Sequence, residues 1–135
     1  MNKKKIFSNT YKQFKYFVFK LLYGKIDRIL LAKRNKKITI KKISFKDLTS
    51  YNLYNIPKGR IYSDTTMDTA FILNKSLIKE PSFQYRYRNG YRIINGPPLE
   101  NFVIKNGTPN FIKKIEGNIF SLLTGGAGKN NYWHW

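Results

Sequence analysis

The hydrophobic period of this chain changes near Asn35, and that change limits the fold more than any other feature. Over residues 8–34, Tyr11, Phe14, Phe17 or Val18, Leu21, Leu22, Ile26, Ile29 and Leu30 recur at three- and four-residue steps. This is the period of an amphipathic helix. Ser8 is the N-cap candidate. Gly24 is placed either to kink the helix or to divide it in two. Beyond Asn35 the pattern shortens. Ile38, Ile40 and, after a slip, Ile43 and Phe45 alternate with Lys and Thr. That alternation predicts a short strand within residues 35–46, with a solvated basic face.

Residues 47–58 are rich in Tyr and Asn and close on Pro57-Lys58-Gly59. They predict a loop with one helical turn at most. Short strands are predicted at 59–63 and 69–73, with polar turns at 64–68 and 74–76. The clearest local signal lies at 82–94. Phe83, Tyr85 and Tyr87 alternate with Gln84, Arg86 and Arg88, and Asn89-Gly90 leads into Tyr91-Arg92-Ile93. Asn-Gly between alternating runs predicts a tight hairpin, because both turn positions need positive φ. Its residues allow two readings. In one, tyrosines face inward and arginines outward. In the other, the rings and guanidinium groups stack bases and hold phosphates. Residues 101–104 and 110–115 flank Asn106-Gly107-Thr108-Pro109 and predict another hairpin. Residues 118–124 predict a buried strand running into a glycine turn. The fold class is therefore α/β or α+β: a basic N-terminal amphipathic helix followed by short strands and hairpins. Residues 1–46 form the basic helix with its linker or strand, and residues 47–135 form a lobe.

The chain carries 26 Lys+Arg against 7 Asp+Glu, a formal net charge of +19. Fifteen of the basic residues and two acids, Asp27 and Asp47, fall within the first fifty positions. Such a field favours polyanions: nucleic acid, anionic lipid or a phosphorylated substrate. The same excess also fits a Lys-, Asn- and Ile-rich composition with no further role. A basic helix with bulky aromatic rings suits an anionic membrane surface, reached through residues 8–34. Its apolar stripe would otherwise pack on the protein's own body. The chain has no cysteine, which excludes disulfides and Cys-ligated zinc. None of the apolar runs approaches the ~20 residues of a membrane-spanning helix.

The chemistry-bearing residues gather at the C-terminal end, in Gly125-Gly126-Ala127-Gly128-Lys129-Asn130-Asn131-Tyr132-Trp133-His134-Trp135. A phosphate-binding P-loop is excluded there. Position 123 is Leu123 where a glycine is required, and Asn130 stands where Ser or Thr would hold magnesium. The glycines instead suit a close-approach turn, with backbone N–H groups free to face an anion. Simple turn chemistry after a strand fits their spacing equally. His134 is the one imidazole and sits between both tryptophans. Aromatic rings of this kind suit the apolar faces of sugars. No metal site is expected. Asp64 and Asp68 lie four apart and read as turn or capping residues, and no catalytic residue is assigned.

The run Asn131-Tyr132-Trp133-His134-Trp135, preceded by Gly125-Gly126-Ala127-Gly128, resembles the family 61 glycosyltransferases. Bacterial members carry a glycine-rich turn, then Asn-Tyr-Tyr/Trp-His-Trp, then an Asp and a Leu-Pro-Arg segment. Residues 59–63 and 69–73 look like the short paired strands that open the family domain, and residues 101–105 look like a later strand. The resemblance covers roughly residues 55–135. It implies the incomplete first lobe of a two-lobed fold of the GT-B type. It implies inverting transfer from a nucleotide-sugar donor to a glycan or lipid-linked acceptor, without an obligatory metal or other cofactor. The expected setting is capsule or envelope polysaccharide synthesis, in the cytoplasm or peripheral on the inner face of the cell membrane. Substrate-pocket residues would be Gly125, Gly126, Gly128, Asn131, Tyr132, His134 and Trp135. The family's Asp and Leu-Pro-Arg elements would follow Trp135, so this N-terminal fragment is expected to be inactive alone. The alternative from the residues themselves is a small basic module on nucleic acid or an anionic membrane surface, with nucleic acid the less favoured.

Overall fold

Helix α1 (Lys3–Tyr23) begins before Ser8, which lies in its interior, and stops well short of residue 34. The stop is local. Gly24 takes a φ of 76° and its N–H donates to the Lys20 carbonyl at 2.9 Å. This is a left-handed C-terminal cap, and a residue with a Cβ adopts it at a cost. A Cβ there would also press on the Lys75 side chain at 3.3 Å. Gly24 therefore ends the helix, and the apolar spacing beyond it serves an extended segment. The computed structural model describes residues 3–44, 46, 50–63, 68–84, 86–93 and 96–121.

Five strands make the main sheet. β1 (Arg28–Leu30) pairs in parallel with β6 (Ser76–Ile78), with Ile29 opposite Leu77. β6 lies antiparallel to β5 (Asp68–Leu73), and β5 lies antiparallel to β4 (Arg60–Ser63). The order is β1-β6-β5-β4, with β7 (Phe83–Gln84) also paired on β5. The strands expected at 59–63 and 69–73 are thus present, and they are neighbours.

β5 is covered on both faces, which is why 69–73 reads as an unbroken apolar run. Alternation assigns its residues to two cores. Ala70 and Ile72 pack with Ile26, Leu77 and Val103, flanked by Tyr62 and Ile104. Leu73 packs on the other face with Ala32, Ile38 and Ile78, flanked by Leu30, Tyr54, Ile56 and Phe71. Ala32 sits in a 3-10 turn (Ala32–Arg34), where its N–H donates to the Glu80 carboxylate at 2.8 Å.

Two further ribbons leave the main sheet. β2 (Thr39–Ser44) pairs antiparallel with β3 (Ser50–Asn55). The loop expected over 47–58 is corrected by β3. Its polar residues lie on a largely exposed ribbon, where burial does not require apolar alternation. Cross-strand pairing does the work instead, with Ile40 opposite Tyr54 and Ile43 opposite Tyr51. β8 (Arg86–Arg88) and β9 (Tyr91–Ile93) form the expected Asn-Gly hairpin, with φ of 50° at Asn89 and 78° at Gly90.

The second hairpin is corrected too. Residues 101–104 do not form a strand. A 3-10 turn (Pro98–Glu100) leads into helix α2 (Phe102–Asn106), and residues 111–116 are irregular and exposed. Asn101 decides this, because its side chain accepts the Val103 N–H at 3.1 Å and caps the helix. Residues 118–120, expected within a buried strand, are also irregular and exposed. The architecture is a mixed α/β fold with an N-terminal helix and a five-stranded sheet.

Candidate functional site

The sequence-predicted pocket residues Gly125, Gly126, Gly128, Asn131, Tyr132, His134 and Trp135 lie outside the described residues, as does Asp64. What the structure does bring together is a buried polar cluster between β5, β7, β8 and α2.

Asp68 is at its centre. It is the one charged residue in the core among the described residues, and its side chain is 3% exposed. Arg86 grips it from two nitrogens: Nη1 donates to Oδ1 at 2.6 Å and Nη2 to Oδ2 at 3.1 Å. The N–H of Phe102 also donates to Oδ2, at the first position of α2. A carboxylate near a helix N-terminus is favoured by the orphan N–H groups there. Arg86 continues outward, with Nε 3.3 Å from Glu100 Oε2 and Nη2 donating to the Glu100 carbonyl.

A second strand of bonds runs parallel to the first. Asn101 Nδ2 donates to Gln84 Oε1 at 3.0 Å and to the Thr69 carbonyl at 3.4 Å. Gln84 Nε2 donates to the Gly96 carbonyl. Ser82 Oγ accepts the Phe71 N–H at 2.9 Å. Among the described residues no buried side-chain N or O atom lacks a partner.

This arrangement corrects two expectations. Asp68 is not a turn residue but a strand residue held inside, and Arg86 turns inward rather than outward. Chemically, the cluster is a clasp. The Asp68 carboxylate is buried and held by the Arg86 guanidinium and the Phe102 N–H, so it is committed to the fold rather than placed for general-base work, and the Arg86 guanidinium is committed to Asp68 and Glu100. The sequence signal was present in part. Gln84 and Arg86 are two apart, but only the register that sets Asp68 opposite Gln84 brings the acid to them.

Two other groups are tuned by their surroundings. Burial lowers the Arg60 guanidinium from its ordinary value, with the Tyr23 phenol opposing. Arg60 Nη2 donates to the Asn74 carbonyl at 3.1 Å. Burial pushes the Tyr54 phenol up, a hydrogen bond with Asn52 works against this, and the Glu80 charge adds to it. Tyr54 thus stays a neutral packing group at ordinary pH. No group of three or more His, Cys, Asp or Glu among the described residues is placed to hold a metal ion.

The remaining surface feature is α1. One side of the helix is tied to the body near its C-terminal half. Phe19 is buried and meets the Phe111 ring at 5.0 Å, and Tyr16 meets Phe102 at 6.0 Å. The Tyr23 hydroxyl accepts the Ile112 N–H at 3.2 Å. Lys15 Nζ donates to Asn110 Oδ1, and Lys20 Nζ to the Lys105 carbonyl. The other side carries Tyr11, Phe14, Phe17, Leu21 and Leu22, all exposed.

No family model, curated protein or solved structure matches this chain.

Proposed function

We propose that this chain forms the N-terminal part of an inverting glycosyltransferase that acts in capsule or envelope polysaccharide synthesis, similar to the family 61 enzymes. The observation that carries the reading is the run from Gly125 to Trp135, in which a glycine-rich turn meets Asn131-Tyr132-Trp133-His134-Trp135. The adjacent strands β4 and β5, residues 60–63 and 68–73, are consistent with the paired strands that open such a domain. The GT-B lobe is part of the proposal.

On this reading the glycine turn presents backbone N–H groups to the diphosphate of the donor. The rings of Tyr132, Trp133 and Trp135 cover the apolar face of a sugar, and His134 among them contacts substrate. Transfer needs a base for the acceptor hydroxyl and positive charge against the leaving diphosphate. The Asp68–Arg86 clasp supplies neither, because its groups already satisfy one another. Its role is to hold α2 against the sheet.

The test is made on the reading frame extended past the codon for Trp135. The extended protein is incubated with a panel of labelled nucleotide sugars and membrane-extracted acceptor. Donor-dependent incorporation is expected, and His134→Ala should lower it by about tenfold, the loss of one substrate hydrogen bond. Absence of transfer or hydrolysis with every donor would sink the reading.

A further inference from the structure

We propose that α1 docks flat on an anionic lipid bilayer, with Tyr11, Phe14, Phe17, Leu21 and Leu22 entering the interface. At about 100° per residue these side chains, with Val18 between them, span an arc of roughly 140° on the helix. Within residues 8–23 the charged side chains are Lys12, Lys15 and Lys20, and all three lie outside that arc. The opposite side is already occupied. Phe19, Tyr16 and Tyr23 are seated on residues 102–112, so the helix does not roll to hide its apolar arc. Phe14 stays 64% exposed and Leu21 71%. The packing of α1 thus uses one apolar side and leaves a second facing away from the body.

Charge identifies the occupant. α1 contains no acidic residue. The exposed residues that follow include Lys25, Arg28, Lys33, Arg34, Lys36 and Lys37, against Asp27 as the one acid before position 47. An apolar arc on a cation-rich segment is complementary to lipid tails beneath anionic headgroups. Lysine stems beside the arc can lie along it and lift their ammonium groups to the headgroups. None of the helices among the described residues is long and apolar enough to cross a membrane, so the fit is to the surface.

The 135-residue chain is floated with vesicles of phosphatidylcholine alone and of phosphatidylcholine mixed with phosphatidylglycerol. Binding is expected only with the anionic mixture, and it should weaken as salt is raised. The exposed pair Phe14→Ser and Phe17→Ser, made together, should weaken it by roughly tenfold or more while circular dichroism stays unchanged. The chain has no native cysteine, so Phe14→Cys and Asn52→Cys each carry one environment-sensitive dye. Emission should shift to the blue on vesicle addition at position 14 and not at 52. Equal binding by the double serine variant overturns the proposal, since charge alone would then hold the protein. Equal dye shifts at the two positions overturn it as well, as does binding to single-stranded RNA with none to vesicles. The inference is independent of glycosyl transfer: an extended protein that transfers no sugar leaves it standing, and a transferase that ignores vesicles does not rescue it.

Discussion

Arg86 and Asp68 show how much one residue's setting decides. A surface ion pair contributes little, about 0–1 kcal/mol, because solvent already stabilises each charge. A buried carboxylate that loses its partner is left uncompensated, at a cost of about 3–5 kcal/mol. The Asp68 side chain is 3% exposed and that of Arg86 is 23% exposed. Arg86→Ala is therefore expected to lower unfolding stability by about 3 kcal/mol or more in urea titrations. Glu100 sits on the outer side of the same guanidinium. Glu100→Ala keeps the backbone carbonyl that Arg86 uses, and should cost about 1 kcal/mol or less. Equal losses from the two substitutions would show that the pair is not the anchor described above.

At the level of elements, α2 is a single turn and a half with little helical stability of its own. Isolated helices this short are marginal in water. Its position depends on its N-terminus, where Asn101 caps the Val103 N–H and also donates to Gln84 and Thr69. Asn101→Ala removes the cap and leaves Gln84 Oε1 without that donor. A loss of about 2 kcal/mol is expected, from the cap and the unsatisfied acceptor together. Asn101→Asp is the sharper variant. Aspartate caps as well as asparagine, yet it has no N–H for Gln84 or Thr69 and would set a carboxylate against their oxygens. Thermal melts should find Asn101→Asp as destabilised as Asn101→Ala. Full recovery would mean that capping alone places α2.

For the whole molecule the dominant quantity is the net charge of +19 on 135 residues. Like charges on one compact body repel, and folding brings them closer. The thermal midpoint should therefore rise by a few degrees between about 20 mM and about 200 mM sodium chloride, as the Debye length shrinks severalfold. The buried Asp68–Arg86 pair is poorly reached by salt, so screening should act mainly on the repulsive surface. A midpoint that falls with salt would show attractive surface pairs to be in control.

Local chemistry was legible where it is self-contained. The Asn89-Gly90 hairpin, the short apolar runs of β4 and β5 and the apolar side of α1 all follow from spacing and from φ preferences carried by single residues. The candidate substrate run from Gly125 to Trp135 rests on residue types alone and lies outside the described residues. Tertiary structure decided the rest. Gly24 ends the helix locally, but the residues beyond it became a strand only because β6 was available for Arg28–Leu30 to pair with. Whether residues 50–55 were loop or strand depended on β2 lying opposite. Asp68 became a buried anchor only through a register that sets Gln84 and Arg86 beside it. β2 adjoins β3 along the chain, but the partners of Arg28–Leu30 and of Asp68 lie well away from them in sequence. A residue's own propensity is worth tenths of a kcal/mol, and the contact it makes across the fold is worth several times that.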